Sequence, residues 1–215
     1  MGSQRVSVGR IIAGQADVDE GAAWLSQQHP ALARAVLDVG PLPLRLRPDG
    51  FGALLSAIVS QQVSTASARA IWGRMEEAGF NMPQTVHDAS EEALRAVGLS
   101  RQKIRYSKAL AEAGIDFDGL RALPDADVVK TLTVVPGIGV WTAEIYAMFS
   151  LGRADVFAPG DLALQEAARA IFDLSERPKE SALRKMSEDW SPWRSVAARL
   201  FFTYYRHIKN REGVL

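Results

Sequence analysis

Cysteine is absent from this chain of 215 residues, and none of its apolar runs is long. Without a thiol there is no disulfide framework, no thiolate nucleophile, no cysteine-bound zinc and no cysteine-ligated iron–sulfur cluster. A membrane-spanning helix needs about 18 consecutive apolar residues, and a secretory signal needs an apolar stretch near the start. The chain shows neither. We therefore expect a cytoplasmic protein.

Net charge is also lacking, because 25 acidic residues balance 25 basic ones. The basic residues are nevertheless unevenly distributed. Two stretches without an acid, between Glu92 and Glu112 and between Asp189 and Glu212, hold ten of them, so the remainder carries 15 basic against 25 acidic residues. Such local patches are typical of a protein that docks one face on a phosphate backbone. Two solvated helix faces are the alternative.

The residues that are present, 47% apolar and 23% charged, have the composition of a globular domain, which excludes collagen, coiled coil and wholesale disorder. Apolar residues recur at three- and four-residue spacing through most of the chain, as in Phe51, Leu54, Leu55 and Ile58, with proline and glycine between the segments. The fold class is therefore predicted to be all-α. Residues 1–16 are predicted to be disordered.

The segment 131–144 predicts a helix, a tight turn and a second helix. Gly137 and Gly139 remove side chains from the turn, so the first backbone amides of the second helix can approach an anion closely. The helix dipole also favours negative charge there, and a phosphate fits such a site. Many helix connections use glycine for packing alone, which is the alternative.

A second motif, residues 155–161, places Asp161 after Pro-Gly and before an apolar run. That position predicts an N-cap, whose carboxylate accepts hydrogen bonds from the first amides of a helix. Asp155 is the competing carboxylate. Because it precedes the apolar part of the motif rather than ending it, we assign Asp155 a capping or loop-fixing role.

Together the two motifs resemble the helix-hairpin-helix (HhH-GPD) DNA glycosylase superfamily. Segments 57–64, 97–103 and 190–198 are similar to its alkylbase branch, that of 3-methyladenine DNA glycosylase II, and the resemblance covers roughly residues 17–208. It implies the compact form without the β-rich N-terminal domain of some relatives. It also implies two helical lobes with the active-site cleft between them. The predicted lobes are residues 17–47 with 155–215, and residues 48–154, which contain the helix-hairpin-helix at 125–150.

The resemblance implies a monofunctional DNA glycosylase of base excision repair, with Asp161 as the catalytic carboxylate. Such an enzyme extrudes an alkylated base, of the 3-methyladenine or 7-methylguanine type, and hydrolyses its N-glycosidic bond. Relatives that also cleave the strand have a nucleophilic lysine where this chain has Trp141, and an indole cannot form a Schiff base. No AP lyase activity is therefore expected.

Substrate and DNA contacts are also implied. A cationic base favours aromatic faces, and we predict a pocket of Trp141 and Phe202 (commonly tryptophan in relatives), with Tyr146 and Trp72 as further candidates that could equally be core residues. The predicted DNA-binding residues are Gln61, Gln62, Arg101, Lys103, Gly137, Gly139, Val140, Thr142 and Arg194. Of these, Gln61 and Gln62 fill the gap left by the base or simply end a helix. Arg194 orders the catalytic loop, contacts phosphate or makes a surface ion pair.

The expected partner is double-stranded DNA with a damaged base, bound by a monomer. In a bacterial source this partner implies association with the nucleoid. No cofactor is expected beyond a structural Na⁺ or K⁺, which the resemblance places on the backbone carbonyls of Thr133, Val135 and Ile138. Two alternatives stay open. One is a glycosylase for another lesion, such as hypoxanthine or mispaired uracil, and the other is a non-catalytic protein that binds damaged DNA.

Overall fold

The computed structural model describes residues 8–212 and groups them into two helical units. One unit is Arg47–Tyr146, called the central unit below, and the other, the terminal unit, contains the described residues on both sides of it. Extended pairing within residues 8–212 is limited to an isolated bridge between Ile11 and Arg153. The predicted all-α class is confirmed. No helix in the described range is long and apolar enough to cross a membrane.

Two helices of the central unit begin at serine N-caps. Ser90 and Ser100 each accept a hydrogen bond from the amide three residues further on, which satisfies one of the first helix donors. The helices are α3 (Phe51–Ser60), α4 (Thr65–Glu77), α5 (Pro83–Asp88), α6 (Glu91–Ala96), α7 (Arg101–Glu112), α8 (Phe117–Leu120), α9 (Asp125–Thr133) and α10 (Val140–Phe149). The division between the units falls inside α10, after Tyr146.

The terminal unit packs its helices around the long last one. Its helices are α1 (Gln15–Gln28), α2 (Pro30–Val39), α11 (Leu162–Ile171), α12 (Glu180–Met186), a short 3-10 helix (Ser187–Trp190) and α13 (Arg194–Glu212). Trp193, just before α13, is buried. A Cβ on Gly21 of α1 would lie 2.6 Å from Cγ2 of Val196. Glycine therefore permits the close approach of α1 to α13.

The predicted disorder of residues 1–16 does not hold for residues 8–16, and residues 1–7 lie outside the described range. Ile12 is buried, and its amide donates to the carbonyl of Gly152 at 2.6 Å. The amide of Ala154 donates to the carbonyl of Arg10 at 3.0 Å. These partners lie far away in sequence, so the composition of the segment could not reveal the pairing.

Candidate active site

Asp161 is the N-cap of α11. Its Oδ1 accepts hydrogen bonds from the amides of Ala163 at 2.8 Å and Leu164 at 3.3 Å. The preceding loop is tied to the same helix, because Nε2 of Gln165 donates to the carbonyl of Pro159 at 2.8 Å. Two backbone amides on one oxygen restrict the rotation of the carboxylate, and the side chain is neither fully buried nor fully exposed. The structure thus provides a fixed carboxylate that water and small groups can reach.

Asp155 holds the start of the same loop. Arg194 donates to its two oxygens, from Nε at 2.7 Å and from Nη2 at 3.0 Å, and Oγ of Ser191 donates at 2.8 Å. Burial alone would raise the pKa of Asp155, but the hydrogen bonds from Arg194 and Ser191 outweigh it and hold that pKa below its ordinary value. These contacts agree with the loop-fixing role assigned to Asp155. Of the alternatives for Arg194, they favour ordering the loop.

We predict that Arg194→Met lowers the free energy of unfolding by about 2 kcal/mol at pH 7, because Asp155 keeps its charge without its partner. A carboxylate whose pKa is lowered by folding stabilises the protein above its unfolded pKa, about 4, and loses that effect as pH falls through its folded pKa. The difference from the parent protein should therefore shrink below pH 4. Urea unfolding at pH 7 and at acid pH measures it. A difference independent of pH would contradict the assignment.

The predicted helix-hairpin-helix is present in the central unit as α9, a tight turn and α10. Gly137 has φ +96°, a conformation that favours glycine, and a Cβ there would collide with the ring of Tyr106. Gly139 is different, since no atom lies within 4 Å of where its Cβ would stand. The first amides of a helix have no intrahelical acceptor. The α10 N-terminus therefore supplies donors beside an open glycine.

Two apolar side chains at the start of α10 are exposed, Val140 at 46% and Trp141 at 45%. The side chain of Thr142 is buried, so any contact of this residue with DNA must come from its backbone. Exposed tryptophan is unusual, because burial of its large ring is favourable. Exposure of Trp141 is therefore consistent with a face that stacks on a ligand.

The two predicted gap-filling glutamines differ in the structure. Gln61 donates from Nε2 to the carbonyl of Gly137 at 2.9 Å, so its amide group is used inside the protein. Gln62 is exposed in the turn between α3 and α4, with φ +56°, and Val63 beside it is also exposed. The available gap-filling side chain is therefore that of Gln62.

The surroundings of Lys103 contradict its predicted contact with phosphate. Its side chain is 8% exposed, and Nζ donates to the carbonyl of Val59 at 2.6 Å; burial lowers the pKa of Lys103. Lys108 in the same basic stretch donates to the carbonyls of His87 and Ala89. Arg101, at the start of α7, is exposed as a phosphate contact requires. Counting charge along the sequence thus overestimates the basic surface.

The remaining pocket candidates have different surroundings. Tyr146 is buried, its hydroxyl accepts from the Gly50 amide at 2.8 Å, and burial raises its pKa to about 12. These features are those of a satisfied core tyrosine. Trp72 is partly buried, 3.9 Å from where a Cβ on Gly52 would stand. Phe202 is partly exposed, with its ring 6.2 Å from that of Phe149.

Sequence reasoning missed Arg199, which precedes Phe202 by three residues on α13 and whose guanidinium lies 4.9 Å from the centre of the Phe149 ring. Arg199 is fully buried and donates to the carbonyls of Leu44 and Ser195, both at 2.9 Å. Burial and the nearby charge of Arg45 lower its pKa to about 10. The guanidinium of Arg45 itself lies 5.8 Å from the centre of the Phe202 ring. A basic stretch with an arginine between alanine and leucine was the available signal, but it does not distinguish a buried guanidinium from an exposed one.

Residues 8–212 contain no cluster of three or more acidic or histidine side chains that could hold a metal ion.

A family model for HhH-GPD superfamily base excision DNA repair proteins matches residues 55–192, which include the hairpin, the Asp161 loop and Ser191. The chain therefore belongs to the HhH-GPD superfamily, and the resemblance on which the sequence predictions depend is confirmed.

Within that superfamily, the chain is similar to alkylbase enzymes. It is 30% identical over 183 residues to DNA-3-methyladenine glycosylase 1 of Schizosaccharomyces pombe, a match that covers 81% of this chain and 80% of the relative. The crystal structure of DNA-3-methyladenine glycosidase from Bacillus halodurans matches with TM-score 0.80 and 32% identity over 88% of this chain and 91% of that one. A Schizosaccharomyces pombe 3-methyladenine DNA glycosylase in complex with abasic DNA matches with TM-score 0.72 and 30% identity, over 85% of this chain and 95% of that one.

Proposed function

We propose that this protein is a monofunctional DNA glycosylase of base excision repair that releases alkylated bases from double-stranded DNA. The observation that carries the proposal is the fixed carboxylate of Asp161, which follows a helix-hairpin-helix in a chain of the HhH-GPD superfamily. The named relatives support the substrate class, because they are 3-methyladenine glycosylases. The abasic-DNA complex of one relative supports DNA as the partner.

Asp161 is the proposed catalytic carboxylate. Rupture of an N-glycosidic bond develops positive charge on the deoxyribose, and a carboxylate that is already oriented stabilises that charge without reorganising. The amides of Ala163 and Leu164 supply the orientation through Oδ1. Asp161 also accepts a proton from the attacking water. An alkylated base carries positive charge of its own and leaves readily, so a separate general acid is less necessary.

Trp141 and Phe202 are the proposed base contacts. Both rings have exposed surface, and a cationic purine is attracted to the electron-rich face of an aromatic ring. On the DNA side, the amides at the α10 N-terminus bind a phosphate beside Gly139, and Gln62 fills the gap that the extruded base leaves. Arg101 is a further proposed phosphate contact.

The hairpin fits a monovalent cation in part. Thr133 is the last residue of α9, where carbonyls have no intrahelical donor. The Val135 carbonyl accepts the Ile138 amide at 3.0 Å, which leaves one lone pair. The carbonyls of Thr133, Val135 and Ile138 are the proposed ligands of Na⁺ or K⁺. Replacement of KCl by tetramethylammonium chloride at equal ionic strength should weaken DNA binding; equal affinity in both salts would contradict the site.

Incubation with a panel of duplexes, each with one lesion, tests the function. Heating in alkali then cleaves the strand wherever a base has been released. Release of 3-methyladenine or 7-methylguanine is the expected result. Binding without release from any duplex would favour the non-catalytic alternative.

The surroundings of Phe202 favour a second candidate, a glycosylase for a neutral lesion such as hypoxanthine. The guanidinium of Arg45 lies against the Phe202 ring, and the buried guanidinium of Arg199 adds positive charge nearby. Positive charge beside the ring opposes a cationic base and does not oppose a neutral one. Release of hypoxanthine in preference to 7-methylguanine from the same panel would support this candidate.

We predict that the protein leaves abasic DNA intact and is not trapped on it by borohydride. Trapping requires a Schiff base, and the position of the nucleophilic lysine in strand-cleaving relatives holds Trp141. Denaturing gels of the product before alkali, and of samples reduced with borohydride, measure both. A covalent adduct in high yield, lost when one lysine is replaced, would overturn the monofunctional assignment.

A further inference from the structure

Lys103 of α7 caps the C-terminal end of α3. The ammonium donates to the carbonyl of Val59, in the last turn of α3, at 2.6 Å. The final carbonyls of a helix lack intrahelical donors and form the negative end of its dipole, so a buried cation satisfies both needs. Gln62, in the exposed turn between α3 and α4, lies two residues after Ser60, the last residue of α3. Lys103 therefore fixes the base of this turn.

One turn further along α7, Tyr106 supports the hairpin. Its ring lies so close to the backbone of Gly137 that a Cβ there would collide with it. The ring is itself held, because Nε2 of Gln102 donates to its hydroxyl at 2.8 Å and the guanidinium of Arg105 lies 5.2 Å from its centre. Tyr106 therefore forms a fixed platform under the hairpin turn.

A third contact joins the two elements directly. The side chain of Gln61, which follows the last residue of α3, donates to the carbonyl of Gly137 at 2.9 Å. The end of α3, the hairpin and α7 thus contact one another pairwise within the central unit. In each of the three contacts, the polar group or ring of the side chain interacts with another part of the central unit.

We infer that α7 positions the hairpin and the turn between α3 and α4 as one rigid element, with Lys103 and Tyr106 as positioning residues. The inference rests on the proposed function, in which the hairpin binds a phosphate and Gln62 enters the duplex. Extrusion of a base requires unstacking and unpairing. If α7 holds the turn at a set distance from the phosphate contact, Gln62 can occupy the gap left by the base. The turn then loses no further conformational entropy when the DNA binds.

Lys103→Met tests the inference, and Lys108→Met is the matched control. Lys108 also lies on α7 and also donates to carbonyls at a helix end, those of His87 and Ala89 at the end of α5. Neither of these hydrogen bonds joins α7 to the hairpin or to the turn that carries Gln62. Single-turnover release is measured for one lesion in two settings, paired in a duplex and unpaired in a bulge. Lys103→Met should slow release from the paired setting about tenfold and change the bulge rate by less than about twofold, because an unpaired base needs little work to extrude.

Tyr106→Leu should show the same selective loss, whereas Tyr106→Phe, which keeps the ring, should retain the parent ratio of the two rates. Equal losses in both settings, accompanied by a lower melting temperature, would mean that these residues only stabilise the fold and would overturn the inference. Loss of neither rate would overturn it as well.

Hydrogen exchange supplies a measurement that does not need activity. Amides of residues 137–139 should exchange faster in Tyr106→Leu than in the parent protein, and at the parent rate in Lys108→Met. Unchanged exchange in Tyr106→Leu would contradict the platform. If the parent protein releases no base from any duplex, the proposed function fails, while the exchange result still decides whether α7 holds the hairpin.

Discussion

Replacement of Asp161 by asparagine should abolish base release, by about a thousandfold or more, while the protein folds and binds the lesion as before. Asparagine caps a helix about as well as aspartate, so the amides of Ala163 and Leu164 keep an acceptor. What the change removes is the negative charge that stabilises the positive charge developing on the sugar. Single-turnover release and equilibrium binding on the same duplex measure the two quantities separately.

Two further variants separate capping from chemistry. Asp161→Ala should lose activity as Asp161→Asn does, and should also lower the free energy of unfolding by about 1 kcal/mol, because the cap is gone. Asp155→Asn loses its charge beside Arg194 and should affect stability more than Asp161→Asn does. Full activity of Asp161→Asn would reduce Asp161 to a helix cap and make Asp155 the leading candidate.

The features predicted correctly from sequence are those that depend on near neighbours. Asp161 is an N-cap, as its position after Pro-Gly predicts. Its hydrogen-bond partners lie two and three residues away, so the local pattern contains the whole interaction. The hairpin belongs to the same group, because the glycines and the flanking apolar patterns occupy one short segment. The catalytic role of Asp161 and the pocket residues stay predictions.

The features that sequence could not provide depend on distant partners. The ammonium of Lys103 reaches a carbonyl 44 residues away, and the amide of Gln61 reaches one 76 residues away. The local sequence around a lysine is the same whether its ammonium binds a phosphate or closes the end of another helix. Arg199 is similar, since its acceptor Leu44 is 155 residues away. Only the packing of the helices decides these assignments.

Gly139→Glu should weaken binding to every duplex, damaged or not, by roughly a hundredfold, without lowering the melting temperature. Gly139 is exposed, its φ is not in the left-handed region, and its Cβ would meet no atom within 4 Å, so a side chain is tolerated by the fold. A carboxylate beside the first amides of α10 repels the phosphate that we propose they bind. A contact with the phosphate backbone does not distinguish one base from another, so the loss of affinity should not depend on the lesion.

Gly139→Gln is the control for this prediction, since it adds a side chain of equal size without charge. The difference in affinity between the Glu and Gln variants should shrink as salt rises from 50 to about 300 mM, because added ions screen the repulsion. Gly137→Glu cannot serve as the test, because φ +96° and the Tyr106 ring make any side chain there a folding defect. If Gly139→Glu bound duplexes as tightly as the parent protein at low salt, the hairpin would not contact the DNA backbone and its glycines would serve the turn alone.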